Sequence, residues 1–178
     1  MDILAHTLWS GALAKVAKKR NFLIKSVGWA AFFGVAPDFL AFGPYLIVRI
    51  LTVGFSPPFP MGSEPPSDAF MPQYVKELYH VSHSLIIFSA VFFLVWLIRK
   101  KPYWEFFAWA LHILIDIPTH TSQFFPTPFL WPINNFEVSG ISWGTPWFMV
   151  LNYTLLAIVY IYLYISVRRR RENAARAL

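Results

Sequence analysis

Residues 103–117 read YWEFFAWALHILIDI, an apolar segment of helical length that carries a histidine and an aspartate near its end. His112 and Asp116 are four residues apart, so on an α-helix they share one face and can bind the same ion. A hydrogen bond between the two side chains within the helix is the alternative interpretation. Ionisable groups are costly inside a membrane and mark a functional site there. The segment therefore predicts a membrane helix that carries part of a polar site.

The composition of the chain is typical of a membrane protein. Of its 178 residues, 57% are hydrophobic and only 13% are charged, whereas soluble domains average about 45–50% apolar and about 25% charged residues. Aromatic residues reach 19%, which suits lipid contact and interfacial belts. Because cysteine is absent, disulfides and thiolate ligands are excluded, and a metal must be bound by imidazole and carboxylate groups. The length fits a single membrane domain, 1–178.

Five helical segments account for most of the chain. They are 2–20, 22–42, 79–98, 103–117 and 146–167. A further apolar stretch, 45–55, follows Gly43-Pro44 and is either an interfacial helix or a continuation of the second segment. The Pro-rich stretches 56–73 and 121–145 form loops. We therefore expect an all-α fold, a polytopic integral membrane bundle of about five helices.

Basic residues cluster at one end of each apolar segment, within 15–25, 99–101 and 168–171. Nucleic-acid binding also uses such clusters, but their placement follows the positive-inside rule of membrane proteins, and we expect no nucleic acid as partner. If all three clusters face the cytoplasm, the N-terminus and both loops lie outside and the C-terminus lies inside. Membrane lipids are then the expected partners, while the oligomeric state stays open.

Seven residues of the metal-binding types reach a similar depth in this expected bundle. They are His6, Asp38, His80, His83, His112, Asp116 and His120. An α-helix rises about 1.5 Å per residue. His6, Asp38, His83, His112 and Asp116 are therefore roughly 16–24 Å from the basic ends of their own helices. His80 and His120 fall a few ångströms further out. Since the hydrocarbon core is about 30 Å thick, the seven form one layer near the outer membrane face.

Imidazole and carboxylate groups bind zinc and similar divalent metals. Separate hydrogen bonds between helices explain one lone histidine, but the convergence of seven such groups favours a metal site. Pro37 is expected to bend or end its helix, and backbone groups freed there can help Asp38 bind a polar ligand. Ser84 follows His83, but neighbouring side chains on a helix point apart, which argues against a serine mechanism.

Several short motifs occur in a fixed order along the chain. They are Ala5-His6-Thr7, Ala36-Pro37-Asp38, Ser82-His83-Ser84-Leu85, His112-Ile-Leu-Ile-Asp116 with Thr119, and Leu130-Trp131-Pro132. In this set the chain resembles the predicted membrane-bound, metal-dependent hydrolase family, the YdjM-like proteins of bacteria and archaea. It departs from that family at Leu40, where a second acid is common. The order of the histidines and aspartates is also similar to the zinc-dependent phospholipase C and single-strand nuclease superfamily.

The resemblance implies a helical site in which a carboxylate and histidines hold two or three zinc ions. Our own expectation is one to three ions of a divalent metal, zinc before others, in a protein of the cytoplasmic (inner) membrane of a prokaryote. One metal would be held by two acids and two histidines: Asp38, His83, His112 and Asp116. Asp116 would bridge to a second metal at His6, and His120, with His80, is the candidate for further coordination. Asp116 and Asp38 would be the catalytic residues.

Together these patterns predict a membrane-embedded metal-dependent hydrolase that acts on a phospholipid or lipid-linked phosphoester at the outer leaflet. A metal pair can stabilise the attacking and leaving oxygens of such an ester. The aromatic residues of 121–145 would either cover the site or form an ordinary interfacial belt. The alternative is a non-enzymatic metal-binding protein with a structural or transport role. Ligands in one layer, instead of along a path across the membrane, disfavour transport.

Overall fold

The computed structural model of the chain describes residues 1–19, 23–54 and 71–176. Within these residues the fold is all-α, as predicted. Its six helices are α1 (Ile3–Lys19), α2 (Val27–Val53), α3 (Gln73–Ser82), α4 (Leu85–Arg99), α5 (Phe107–Thr119) and α6 (Pro146–Arg176). A single 3-10 turn, Trp104–Phe106, precedes α5. The predicted loop 121–145 contains no helix, whereas most of the predicted loop 56–73 lies outside the described residues.

Two helices are long and apolar enough to cross a membrane: α2 and the Pro146–Arg169 part of α6. The pair α3 and α4 forms a third candidate if it is one span, although the two helices are bent by 58°. By contrast, α1 has 17 residues and α5 has 13. At about 1.5 Å per residue both are shorter than the hydrocarbon core of about 30 Å. The described residues therefore contain two or three candidate spans, where the sequence predicted about five helices of membrane type.

Helix α2 is continuous where the sequence predicted an end near residue 42. Pro37 and Pro44 both lie inside it, so the stretch that begins at residue 45 continues the helix as far as Val53 instead of forming a separate one. The Ser26 side chain accepts a hydrogen bond from the Trp29 amide and caps the start. The helix ends before Gly54, whose φ of 81° favours glycine. Proline removes a single backbone hydrogen bond, and here the long apolar surface outweighs that loss.

The predicted helix 79–98 is in fact two helices, α3 and α4, and the break falls at His83 and Ser84. The Ser84 hydroxyl accepts hydrogen bonds from the amides of Ile86 and Ile87, both at 3.1 Å, so Ser84 is the N-cap of α4. An N-cap residue has non-helical backbone angles, which is the physical reason for the bend. As a result, His83 is the C-cap residue of α3, and its amide still donates to the Tyr79 carbonyl at 2.8 Å.

The last two helices also differ from their predicted bounds. The start of the predicted helix 103–117 is the 3-10 turn, and α5 runs on to Thr119. Helix α6 continues past the predicted end at residue 167 to Arg176. Arg168 and Glu172, four residues apart, form an ion pair of 2.8 Å on this extension, and such pairs support a solvated helix.

Helices α1 and α2 meet at Gly34. A Cβ atom there would lie 2.0 Å from the Ser10 Oγ, so only glycine permits this approach. Helix α6 runs parallel to α1, because Tyr153 donates a hydrogen bond to Asp2 (2.8 Å) and Tyr160 donates to the Leu8 carbonyl (2.9 Å). The two helices therefore begin at the same end of the molecule, where the site described next is located.

Candidate metal centre

Four buried side chains from three parts of the fold meet at one point. Asp38 lies on α2, His83 lies in the break between α3 and α4, and His112 and Asp116 lie on α5. Each offers one ligand atom, and these atoms all lie within 4.8 Å of one another. None of the four residues is more than 6% exposed. This is the set that the resemblance assigned to one metal, and it can hold a metal ion.

The separations of the ligand atoms suit one small cation. The Nε2 atom of His112 lies 3.0 Å from that of His83 and 3.1 Å from Asp116 Oδ2. The distance from His83 Nε2 to Asp116 Oδ2 is 3.5 Å. Asp38 Oδ1 lies 3.6 Å from His83 Nε2 and 3.7 Å from His112 Nε2. In a tetrahedral zinc site with bonds of about 2.0–2.1 Å, neighbouring ligand atoms are about 3.3 Å apart.

Backbone carbonyls set the orientation of both imidazoles. His112 Nδ1 lies 2.8 Å from the Gly34 carbonyl oxygen, and His83 Nδ1 lies 3.2 Å from that of Tyr79. A carbonyl oxygen only accepts, so Nδ1 of His112 carries a proton and its Nε2 presents a lone pair. His83 Nδ1 also lies 2.9 Å from the Ser82 hydroxyl, and in the tautomer that donates to the Tyr79 carbonyl its Nε2 presents a lone pair as well. Two lone pairs 3.0 Å apart repel each other unless a proton or a metal cation lies between them. A metal-binding histidine usually donates a hydrogen bond from its other ring nitrogen to a group such as a backbone carbonyl, and this bond fixes the orientation of the ring.

The charges of the group also match a divalent ion. Asp38 Oδ2 and Asp116 Oδ2 are buried and have no hydrogen-bond partner among the described residues. Burial of a carboxylate is costly unless the charge is paired. Two carboxylates with two neutral imidazoles carry two negative charges. The Met1 ammonium group pairs with Asp116 Oδ1, and a divalent cation would lie on the Oδ2 side, facing His83 and His112.

Asp116 faces two different sets of histidines. Its Oδ2 atom is turned toward His83 and His112, as described above. Its Oδ1 atom lies 2.9 Å from His6 Nε2 and 3.5 Å from His120 Nε2. The two oxygens of one carboxylate thus contact separate groups of nitrogen ligands, which is the geometry in which an acid can bridge two metal ions.

His6 and His120 are both buried beside this second oxygen. The His6 ring stacks on that of His112, with centroids 3.7 Å apart. Neither His6 nitrogen makes a hydrogen bond to a described residue; the Nε2 contact with Asp116 is close but is not aligned as one. His120 Nδ1 lies 2.9 Å from the Phe125 carbonyl oxygen, which leaves its Nε2 as the ligand nitrogen. The Met1 nitrogen lies 3.0 Å from that Nε2 and also contacts Asp116.

His80 is not part of the four-residue group. It is half-buried on α3, and its ring centroid lies 6.2 Å from that of Trp131. The sequence placed His80 and His83 on one face of a continuous helix. In the structure His83, the C-cap residue of α3, belongs to the group, whereas His80 lies beside Trp131.

Three further residues, whose roles were not predicted from the sequence, support the ligands. Gly34 orients His112 through its carbonyl group and admits α1 at close range. Asp2 accepts a hydrogen bond from the Ala5 amide (3.0 Å) and thereby holds the start of the helix that carries His6. Tyr79 is buried, and its ring stacks on that of His83 with centroids 3.7 Å apart. A glycine within an apolar helix is the one sequence signal among these, since it often marks a close approach.

Replacement of Tyr79 by phenylalanine is expected to weaken zinc binding about tenfold, the lower end of the range for supporting partners of metal ligands. The Tyr79 hydroxyl donates to the Phe125 carbonyl (2.9 Å), which is also the acceptor of His120. Zinc affinity of the purified protein, measured by competition with a chelator, checks this result. Tyr74→Phe, at an exposed tyrosine of the same helix, is the matched control. Equal affinities in the two variants would contradict a supporting role for Tyr79.

Comparison of the chain with protein-family models, with curated proteins and with solved structures gives no match in any of the three. The fold and the site therefore define the class. In residues 1–19, 23–54 and 71–176 the fold is all-α, with two or three candidate membrane spans and a buried group of Asp38, His83, His112 and Asp116 that can hold a metal ion.

Proposed function

We propose that the protein is a membrane-embedded, metal-dependent hydrolase that acts on a phospholipid or another lipid-linked phosphoester. The observation that carries the proposal is the carboxylate of Asp116, whose two oxygens face separate sets of imidazoles. Asp38, His83, His112 and Asp116 would hold one ion, and Asp116 with His6 and His120 would hold a second. Bound ions would lower the pKa of a coordinated water and stabilise the charge that develops on phosphoryl oxygens. Zinc is the first choice, because the donors are imidazole and carboxylate.

A cavity of about 410 Å³ reaches the site and supports a lipid substrate. Asp38 and His120 are the site residues that line it. Most of the other lining side chains are apolar: Ile3, Leu4, Phe42, Tyr45, Leu46, Met71, Phe124 and Trp143. Its volume lies within the range of about 300–1,000 Å³ that is common for small-molecule sites. Walls of this kind fit a hydrocarbon chain, whereas a small water-soluble ester would leave them uncovered.

The role proposed for Asp38 follows from its two environments. Its Oδ1 atom faces the two imidazoles, while Oδ2 has no hydrogen-bond partner among the described residues. Asp38 also lines the cavity, so an ester bound there would lie beside this carboxylate. We propose that Asp38 accepts a proton from the attacking water and that Asp116 bridges the two ions. The order of motifs that resembles the YdjM-like hydrolases agrees with these roles.

A structural metal site is the second candidate function, and one observation favours it. His83 and His112 are completely buried, and with the two acids they already make four ligands. Structural zinc sites are closed in this way, whereas catalytic sites keep an open position. In the hydrolase the open position would lie on the side of Asp38 and His120, where the cavity begins.

The hydrolase proposal predicts turnover that depends on bound metal. Full-length protein in liposomes should release a labelled head group from a phospholipid, or phosphate from a polyprenyl phosphoester. Treatment with a chelator should abolish release, and added zinc should restore it. Protein that keeps its metal but hydrolyses none of these esters would favour the structural role instead.

We also propose that the site lies at the outer leaflet of a prokaryotic cytoplasmic membrane. The parallel run of α1 and α6 supports this orientation, because both helices begin at the site and lead toward basic residues. The chain has no cysteine, so single cysteines can report the topology. Gln123→Cys should react with an impermeant maleimide in intact cells, and Arg169→Cys only after permeabilisation. The reverse pattern would move the site to the inner leaflet.

A further inference from the structure

A second cavity, of about 510 Å³, lies around the start of α2, whereas Asp38 of the metal centre lies near the middle of that helix. Three segments of the chain meet around it: 23–29 at the start of α2, Arg99 at the end of α4, and 101–105 before α5. Three of its lining residues are cations, namely Lys25, Arg99 and Lys101. Three others are aromatic: Trp29, Tyr103 and Trp104. This cavity takes no part in the proposed hydrolysis.

Contacts of Glu105, Arg99 and Lys25 hold these segments in place. Glu105 is only 2% exposed, and its Oε1 atom accepts hydrogen bonds from the amides of Lys25 (2.8 Å) and Ser26 (2.9 Å). The Arg99 guanidinium lies 4.7 Å from the centre of the Tyr103 ring. The Lys25 carbonyl accepts a hydrogen bond from Lys18 Nζ at 3.1 Å. The positive-inside rule explains why basic residues occur at this end, but it does not explain why they surround a concavity.

The charge and the position of the cavity indicate its ligand. Three cations and the Glu105 carboxylate leave a net charge of two positive units, and Glu105 Oε1 is already occupied by two amides. We infer that this cavity binds the phosphate of an anionic phospholipid. Basic cavities between membrane helices on the cytoplasmic side bind anionic head groups in this way. Tryptophan and tyrosine side chains are enriched at the depth of the lipid head groups.

Exposed apolar side chains beside the cavity favour a lipid over free phosphate. On α2, Trp29 is 52% exposed and Phe32 follows it at 50%. On α4, Leu97 and Ile98 precede Arg99 and are 66% and 72% exposed. A phospholipid whose phosphate is held by Arg99 and Lys101 would lay its acyl chains along these faces. Inorganic phosphate would gain nothing from them.

The test uses full-length protein in nanodiscs of phosphatidylcholine with increasing fractions of phosphatidylglycerol. Thermal stabilisation by phosphatidylglycerol gives an apparent affinity for each variant. Lys101→Gln should weaken it about fivefold, and the Arg99→Gln/Lys101→Gln pair roughly 25-fold, since each cation contributes a similar attraction. Lys101→Arg should restore it. Arg169→Gln, which removes the same charge from the exposed part of α6, should leave it unchanged.

The control measurements separate this site from general charge effects and from the metal centre. Metal content should be the same in every variant, which also shows that each one folds. Equal losses in Lys101→Gln and Arg169→Gln, or equal stabilisation by the two lipids, would overturn the proposal. Stabilisation by millimolar inorganic phosphate to the same extent would assign the cavity to free phosphate and would also overturn it.

Discussion

Asp116→Ala is expected to remove both the bound metal and all metal-dependent hydrolysis from the full-length protein. One carboxylate contacts His83 and His112 through Oδ2 and His6 and His120 through Oδ1. Its loss therefore weakens both proposed metal positions at once. Mutation of a residue that supports a metal ligand lowers metal affinity or activity about 10–100-fold. Because Asp116 is itself a ligand, its replacement should lower both by more than about 100-fold. Elemental analysis and the liposome assay measure the two effects.

Two further variants make the Asp116 result specific. Asp116→Asn keeps the shape of the side chain but removes its charge, so it should bind metal almost as poorly as the alanine variant. Glu77→Ala removes an acid from the exposed surface of α3 and should retain metal and turnover. Full metal content in Asp116→Ala would refute the assignment of Asp116 as a ligand. Full turnover without bound metal would refute the hydrolase mechanism.

Removal of metal from the wild-type protein is expected to lower its melting temperature by about 8–16 °C. Zinc at about 1,000 times its Kd stabilises a folded protein by about 4 kcal/mol, and each kcal/mol shifts Tm by about 2–4 °C in a chain of this length. The physical cause is the set of buried charges. Without a cation, the carboxylates of Asp38 and Asp116 lie beside two imidazole lone pairs that face each other at 3.0 Å. Thermal unfolding with a chelator, and then with added zinc, measures the change.

His80 on α3 and His83 in the break that follows it provide a matched pair of variants for this measurement. His83→Ala should abolish most of the response to zinc, because His83 belongs to the four-residue group. His80→Ala should keep the full response, because His80 lies outside that group beside Trp131. A wild-type protein with no bound metal, and no change of Tm on adding zinc, would rule out the metal centre altogether.

The amino-acid sequence is enough to identify the apolar helices and the residue types of the site. The rise of an α-helix and the cost of ionisable groups in an apolar helix together indicate that His6, Asp38, His83, His112 and Asp116 share a layer. The pairing of His112 with Asp116 needs nothing beyond helical spacing, and the structure confirms that both lie in one buried group. These features are local, or depend only on distance along a helix, so a sequence pattern can express them.

Only the tertiary structure decides which of these residues actually meet. Helical spacing puts His80 and His83 on one face, but only His83 belongs to the group, and His80 lies beside Trp131. The close approach at Gly34 brings α1 near α2, and His6 on α1 reaches Asp116 on α5. Contacts of this kind join residues far apart in the chain. They depend on how side chains fill the space between helices, which helical periodicity alone does not specify.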